Sequence, residues 1–342
     1  MMLKRKESLM LTSIIVIIAM LLLAGCSSPQ QARQVTKDET TGKTLDVIKL
    51  LSPYPTAVAN VYIIADKLGF FKEEGIKPEF VGELPSTTQL VAAVTSGQVD
   101  VGGKHVNTTI SGIAAGAKVK MVAGGSVTTK DQPHMIYVVK ADSPIKSPQD
   151  LVGKRVGISG YGGCTEYTPL EYLHLNGGIA DPKGKFETII LPEPNLEQAL
   201  LSDKVDVIGL HLSPQYVQKH PDLRILFTDY DVWGERAGAC PAYVSEKFIK
   251  EKPDVVKRFV AAVAKANNWV NANPDKALDI IAQELKVDKE KIQAYHYADD
   301  GIITDDSVQV WIDILNYYHD LKPGIKAKDL YTNEFNPNFK NK

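Results

Sequence analysis

Ser96-Gly-Gln-Val-Asp100-Val-Gly-Gly-Lys-His105 and Ser202-Asp-Lys-Val-Asp206-Val-Ile-Gly-Leu-His211 are two copies of one pattern, S-x-x-V-D-V-x-G-x-H. Each copy follows a short apolar helical stretch. The Val-Asp-Val core reads as a brief strand, and the histidine falls where that strand ends. The match at identical spacing predicts one strand-end position occupied twice, in two related lobes.

Around the first copy, β-branched runs alternate with amphipathic stretches. Strands are expected at Val47 to Leu51, Pro78 to Val81, Val99 to Val101 and Val119 to Val122, with helices near Val58 to Leu68, Thr87 to Thr95 and Val106 to Ala115. The rhythm restarts after Ser143-Pro144: strand Arg155 to Ile158, helix Glu166 to Leu175, strand Glu187 to Leu191, helix Leu196 to Leu201, strand Val205 to Leu210, helix Pro214 to Lys219, strand Leu223 to Phe227. The last hundred residues read as helices: Lys252 to Ala272, Pro274 to Leu285, Asp288 to Tyr297 and Asp305 to Lys322. The fold class is therefore α/β, with two lobes, each a mixed, mainly parallel sheet flanked by helices. Residues 45–143 and 240–342 form the first lobe and 144–239 the second. The expected crossings lie near Lys140 to Pro144 and Gly238 to Tyr243.

Upstream, residues 1–26 begin with Lys4, Arg5 and Lys6, continue through an apolar run, and end in Leu23-Ala24-Gly25-Cys26. This reads as an export signal with a lipobox, so Cys26 is the expected lipidation site and the mature chain is held at the membrane, facing the extracytoplasmic side. Residues 27–44 are polar and read as a disordered tether.

Composition limits the alternatives. The chain of 342 residues carries 39 Lys+Arg and 41 Asp+Glu with no basic stripe, which excludes a nucleic-acid partner by charge. The ~300 residues after the tether exceed what one core usually holds, as two lobes require. Beyond Cys26, only Cys164 and Cys240 remain, too few for a disulfide scaffold, and whether they pair is open at this level.

The run Ala65-Asp66-Lys67-Leu68-Gly69-Phe70-Phe71-Lys72-Glu73-Glu74-Gly75-Ile76, the run Leu90 to Gly102, and Ser147-Pro148-Gln149-Asp150-Leu151-Val152-Gly153-Lys154-Arg155-Val156-Gly157 resemble the nitrate/sulfonate/taurine group of ABC-importer solute-binding proteins, which also includes thiamine-precursor binders. The resemblance spans Leu45 to about Leu321. It implies two α/β lobes closing on a small solute and delivery to an ABC permease with its ATPase; a monomer without cofactor is expected from the duplicated pattern. The clustered cysteines of the pyrimidine-synthesising relatives are missing, so the resemblance implies binding without catalysis.

Open parallel sheets bind ligands beyond the carboxyl ends of their strands, so the cleft candidates are strand-end loops. In the first lobe these are Ser52, Tyr54 and Thr56; Pro85, Ser86 and Thr87; Lys104 and His105; Gly124, Gly125 and Ser126. In the second they are Ser159, Gly160, Tyr161, Gly162, Gly163, Cys164 and Thr165, then Glu193 and His211, with Cys240 on the return crossing. His134 is an outside candidate near the hinge. The repeat predicts that His105 and His211 face each other. With Cys164 and Cys240 they could instead form a tetrahedral metal set, although no local C-x-x-C spacing marks one. A third reading makes Cys164 a nucleophile with a cleft histidine as base.

Overall fold

Val- and Ile-rich runs too short for helices become the strands of two sheets in the computed structural model, which describes residues 34–39, 42–52, 60–82 and 87–340. The leader with Cys26, and Tyr54, Thr56, Pro85 and Ser86, lie outside the described residues. The expected tether of residues 27–44 lies partly outside the described residues. Its described part already contains β1 (Val35–Lys37), and the buried Asp38 takes an ion pair from Lys72 at 2.9 Å.

The first sheet contains β2 (Thr44–Leu50), β3 (Ile76–Phe80), β4 (Val101–Gly103) and β5 (Val119–Val127). The second contains β6 (Ile136–Lys140), β7 (Arg155–Ile158), β8 (Glu187–Ile190), β9 (Val207–Leu210) and β10 (Leu223–Thr228). The chain then returns to the first sheet as β11 (Cys240–Ser245) and β12 (His296–Tyr297). The orders are β1-β2-β4-β11-β5-β12, with β3 also pairing with β2, and β10-β6-β9-β7-β8.

Strands on either side of a helix are parallel, as in β2 with β3 and β4, and β7 with β8 and β9. The strands entered directly after a crossing are antiparallel: β6 against β9 and β10, and β11 against β4 and β5. Both sheets point their carboxyl strand ends toward the cleft. A chain that leaves one sheet there enters the other from its cleft end and must run away from it.

This geometry corrects the crossings. Ile136–Lys140 is bonded within the second sheet, so the chain changes sheets between Val127 and Ile136, before Lys140 to Pro144. The return lies between Thr228 and Cys240 and includes the helix Asp229–Trp233. Buried Asp229 ties the two crossings together, accepting hydrogen bonds from the Thr128 hydroxyl and from the Met135 amide (3.1 Å). Gly238, at φ 71°, passes so close to Thr128 that a Cβ would collide with its hydroxyl.

The expected helix Asp288 to Tyr297 is a second correction. One 3₁₀ turn, Lys289–Lys291, precedes β12, whose His296 and Tyr297 pair with Val127 and Ser126. Asn271 fixes this extended segment by accepting from the Tyr297 amide (2.9 Å) and donating to its carbonyl (2.8 Å). Tertiary pairing overrides local helical pattern here.

The apolar faces of helices Thr87–Ser96, Val106–Ala114 and Cys164–Glu171 share a core with the C-terminal helix Asp305–Tyr317. Trp311, fully buried, lies within reach of Trp233 (5.0 Å between rings) and Tyr167 (6.3 Å). Beyond the helix, Tyr318 donates to Glu171 at 2.7 Å and Tyr167 to Asp320 at 2.9 Å. The C-terminal helix thus straps a first-sheet helix to a second-sheet one, and from Thr36 onward contacts group the chain as one unit.

Candidate functional site

The duplicated motif is a duplicated geometry. The Lys49 amide donates to Asp100 at 2.8 Å and Asp100 returns its own amide to the Lys49 carbonyl at 3.0 Å. Arg155 and Asp206 repeat both bonds, at 2.8 and 2.8 Å. Gly97 and Asp203, at the same place in each copy, are both left-handed. Asp100 therefore clamps its short strand to the end of β2 and Asp206 to the start of β7, and each aims the following loop at the cleft.

Three strand ends converge there. β4 runs out through Lys104 into His105, which precedes the helix Val106–Ala114; β7 runs into the Ser159–Gly163 turn ahead of the helix Cys164–Glu171; β9 runs into His211. They surround a cavity of about 960 Å³. Of the expected residues, Lys104, His105, Ser159, Tyr161, Gly162, Gly163, Cys164, Thr165, Glu193, His211 and Cys240 line it, and so does His134. Ser52 does not; its hydroxyl accepts from Gly82 at 3.1 Å and closes the end of β3. Ser126, with Gly124 and Gly125, lines a neighbouring cavity of about 620 Å³ instead. Thr87 begins the helix Thr87–Ser96.

His105 and His211 do not meet directly. His134 stands between them, 4.9 Å from the His105 ring and 5.1 Å from the His211 ring. Asn107, which the sequence reading missed, organises the first-lobe side: its Oδ1 faces His105 Nδ1 at 3.0 Å and its amide donates across the cleft to the Gly162 carbonyl at 3.2 Å. Its proximity to His105, two residues away, was the available signal. On the other side, His211 Nδ1 lies 2.9 Å from Glu193, which also accepts the His211 amide at 2.6 Å, and His211 Nε2 lies 3.4 Å from Cys164 Sγ.

Burial divides the histidines by partner. Burial holds His105 neutral, its pKa lowered to about 3 against a smaller opposing effect of Asn107, and depresses His134 well below the ordinary value. Burial acts on His211 too, but Glu193 and Cys164 outweigh it and raise its pKa well above the ordinary value. Glu193 is correspondingly lowered despite its burial, through His211. The Cys240 thiol is pushed up to about 12 by burial. Cys164 and Cys240 are both free, so the pairing that the sequence left open is not made. One nitrogen each of His105 and His134 and the Cys164 sulfur lie within 4.8 Å of one another; Cys240 and His211, which the sequence also placed in a metal set, are not in this group, although His211 Nε2 is near Cys164.

The model of NMT1/THI5-like proteins matches residues 56–277. The chain belongs to this family. Among relatives of the NMT1/THI5-like chain, a formylaminopyrimidine-binding protein from Halalkalibacterium halodurans is 26% identical over 271 residues, covering 78% of this chain and 76% of the relative. A 4-amino-5-hydroxymethyl-2-methylpyrimidine phosphate synthase from Legionella pneumophila is 28% identical over 239 residues, 68% of this chain and 70% of its own. The fold is shared with a zinc-bound ligand-binding component of an ABC-type import system from Staphylococcus aureus, with a TM-score of 0.68 at 15% identity, covering 85% of this chain and 98% of that one. The α/β architecture with two sheets is that of periplasmic binding proteins.

Proposed function

We propose that this protein is the solute-binding component of an ABC importer, tethered outside the cytoplasm through Cys26, and that it closes its two lobes on a small aminopyrimidine-type solute for delivery to a permease. The single observation that carries the reading is the 960 Å³ cavity bounded by strand ends of both sheets, since a ligand touching both lobes stabilises their closed arrangement. Among its described lining residues Lys104 is the only fixed cation, and Glu193 is an acid in the same wall. That balance gives nitrate or a simple sulfonate little fixed charge to pair with, leaving backbone amides to do most of the work, and suits a neutral heterocycle offering donors and acceptors. The formylaminopyrimidine-binding relative supports the same class.

The synthase relatives raise catalysis as the other possibility. The missing cysteine cluster argues for binding alone. Calorimetric titration of the mature chain with formylaminopyrimidine and with an alkanesulfonate tests the choice: tight binding of the first, weak binding of the second, and recovery of the solute unchanged after release are expected. A new product in the released fraction would overturn the binding reading, and preferential sulfonate binding the ligand class. Palmitate labelling that survives Cys26→Ala would overturn the anchor.

A further inference from the structure

Two buried imidazoles in the cleft each have a ring nitrogen with no hydrogen-bond partner among the described residues. Asn107 uses its amide nitrogen on Gly162, so its Oδ1 can only accept, from His105 Nδ1–H. That fixes the tautomer and leaves His105 Nε2 as a bare acceptor, buried and without a protein partner. His134 Nδ1 is likewise buried and unpartnered, and both residues are under a tenth exposed. Such groups normally find partners, so their convergence on a thiol points to an occupant that supplies acceptance of electron pairs.

We infer that His105, His134, Cys164 and His211 form a tetrahedral site for a borderline-soft divalent ion of the zinc class at the floor of the cleft. Metal–sulfur and metal–nitrogen bonds of about 2.3 and 2.0–2.1 Å place two tetrahedral ligands about 3.5 Å apart. Cys164 Sγ and His211 Nε2 are separated by 3.4 Å. The first three residues already bring their donor atoms within 4.8 Å of one another, a span that small rotamer shifts close. The outer contacts are those a ligating imidazole requires: Glu193 holds His211 by Nδ1 and Asn107 holds His105 by Nδ1, so each turns its Nε2 inward. Three imidazoles and a thiolate favour zinc-class ions over magnesium or calcium, which take oxygen. The site shares the cleft of the proposed solute reading but rests on these four side chains alone.

Untagged, chelator-stripped protein titrated with Co²⁺ and then displaced by Zn²⁺ tests it. The expected result is one equivalent of Co²⁺ with a sulfur-to-cobalt charge-transfer band, reversed by Zn²⁺. Cys164→Ser removes the band, His105→Ala and His134→Ala each abolish stoichiometric binding, and Glu193→Gln and Asn107→Ala weaken it about 10- to 100-fold. Circular dichroism checks that each variant folds, and Cys240→Ser serves as a control that keeps the band. Absence of the band in the folded wild type, or a band that survives Cys164→Ser, overturns the inference. Formylaminopyrimidine titrated into the same stripped protein separates the two readings: solute binding without metal binding leaves the solute reading standing and sinks this one, and the reverse pattern does the opposite.

Discussion

At the scale of single residues, the two clamp aspartates carry one hydrogen-bond pattern in opposite electrostatic settings. Asp206 also receives the Arg155 guanidinium at 2.6 and 3.0 Å, which holds its carboxyl below the usual range. Asp100 lacks such an arginine, and burial raises its pKa despite the Lys49 amide. The signs follow from linkage. The contribution of Asp206 is complete above the unfolded carboxylate value of about 3.9 and is lost as pH falls through its lower folded value. The contribution of Asp100 is complete below about 3.9 and is lost as pH rises through its higher folded value. Melting temperatures measured from acid to neutral pH should show Asp206→Asn costing most near neutrality and least in acid. Asp100→Asn should cost most in acid and turn neutral or stabilising toward neutrality; parallel profiles for the two variants would refute the assignment. The motif in the sequence predicted that the two aspartates hold equivalent places ahead of a strand-end histidine, yet their pKa shifts diverge because Arg155, 51 residues from Asp206, is visible only once the chain is folded.

Among the elements, what the sequence conveyed was whatever depended on neighbours in the chain. The strand Arg155–Ile158 and the helix Pro274–Leu285 fall where their local patterns place them. β6 was missed as a second-sheet strand although Ile136, Tyr137, Val138 and Val139 are all fully buried, because nothing local tells which sheet a short apolar strand will join. The same limit left His134 an outside candidate near the hinge: it sits on the crossing, and only the crossing's path inserts it between the two strand-end histidines. The strap formed by Asp305–Tyr317 was hidden too, since its partners on the second-sheet side are distant in sequence, Tyr318 and Glu171 being 147 residues apart. Trp311 anchors that strap with its ring 4.5 Å from His105. Replacing it by alanine should cost about 3–5 kcal/mol in urea unfolding. Tyr318→Phe, which leaves the buried Glu171 short of a donor, should cost about 1–3 kcal/mol. A Trp311→Ala loss under 1 kcal/mol would show that the strap does not hold the lobes.

For the whole molecule, the account joins two sheets whose carboxyl strand ends share one cavity, with the paired crossings pinned at Asp229 and the C-terminal helix bridging the outside. Among the described residues no helix is long and apolar enough to cross a membrane, so the proposed attachment rests on the lipobox. Its central claim is that one solute is gripped from both sides. Hydrogen–deuterium exchange of the mature chain, with and without saturating formylaminopyrimidine, tests this most directly. The account predicts coincident slowing in three separated segments, around Gly103 to Thr108, Ser159 to Thr165 and His211. Protection confined to one of these, or appearing instead along the neighbouring cavity at His296 to Ser307, would contradict it.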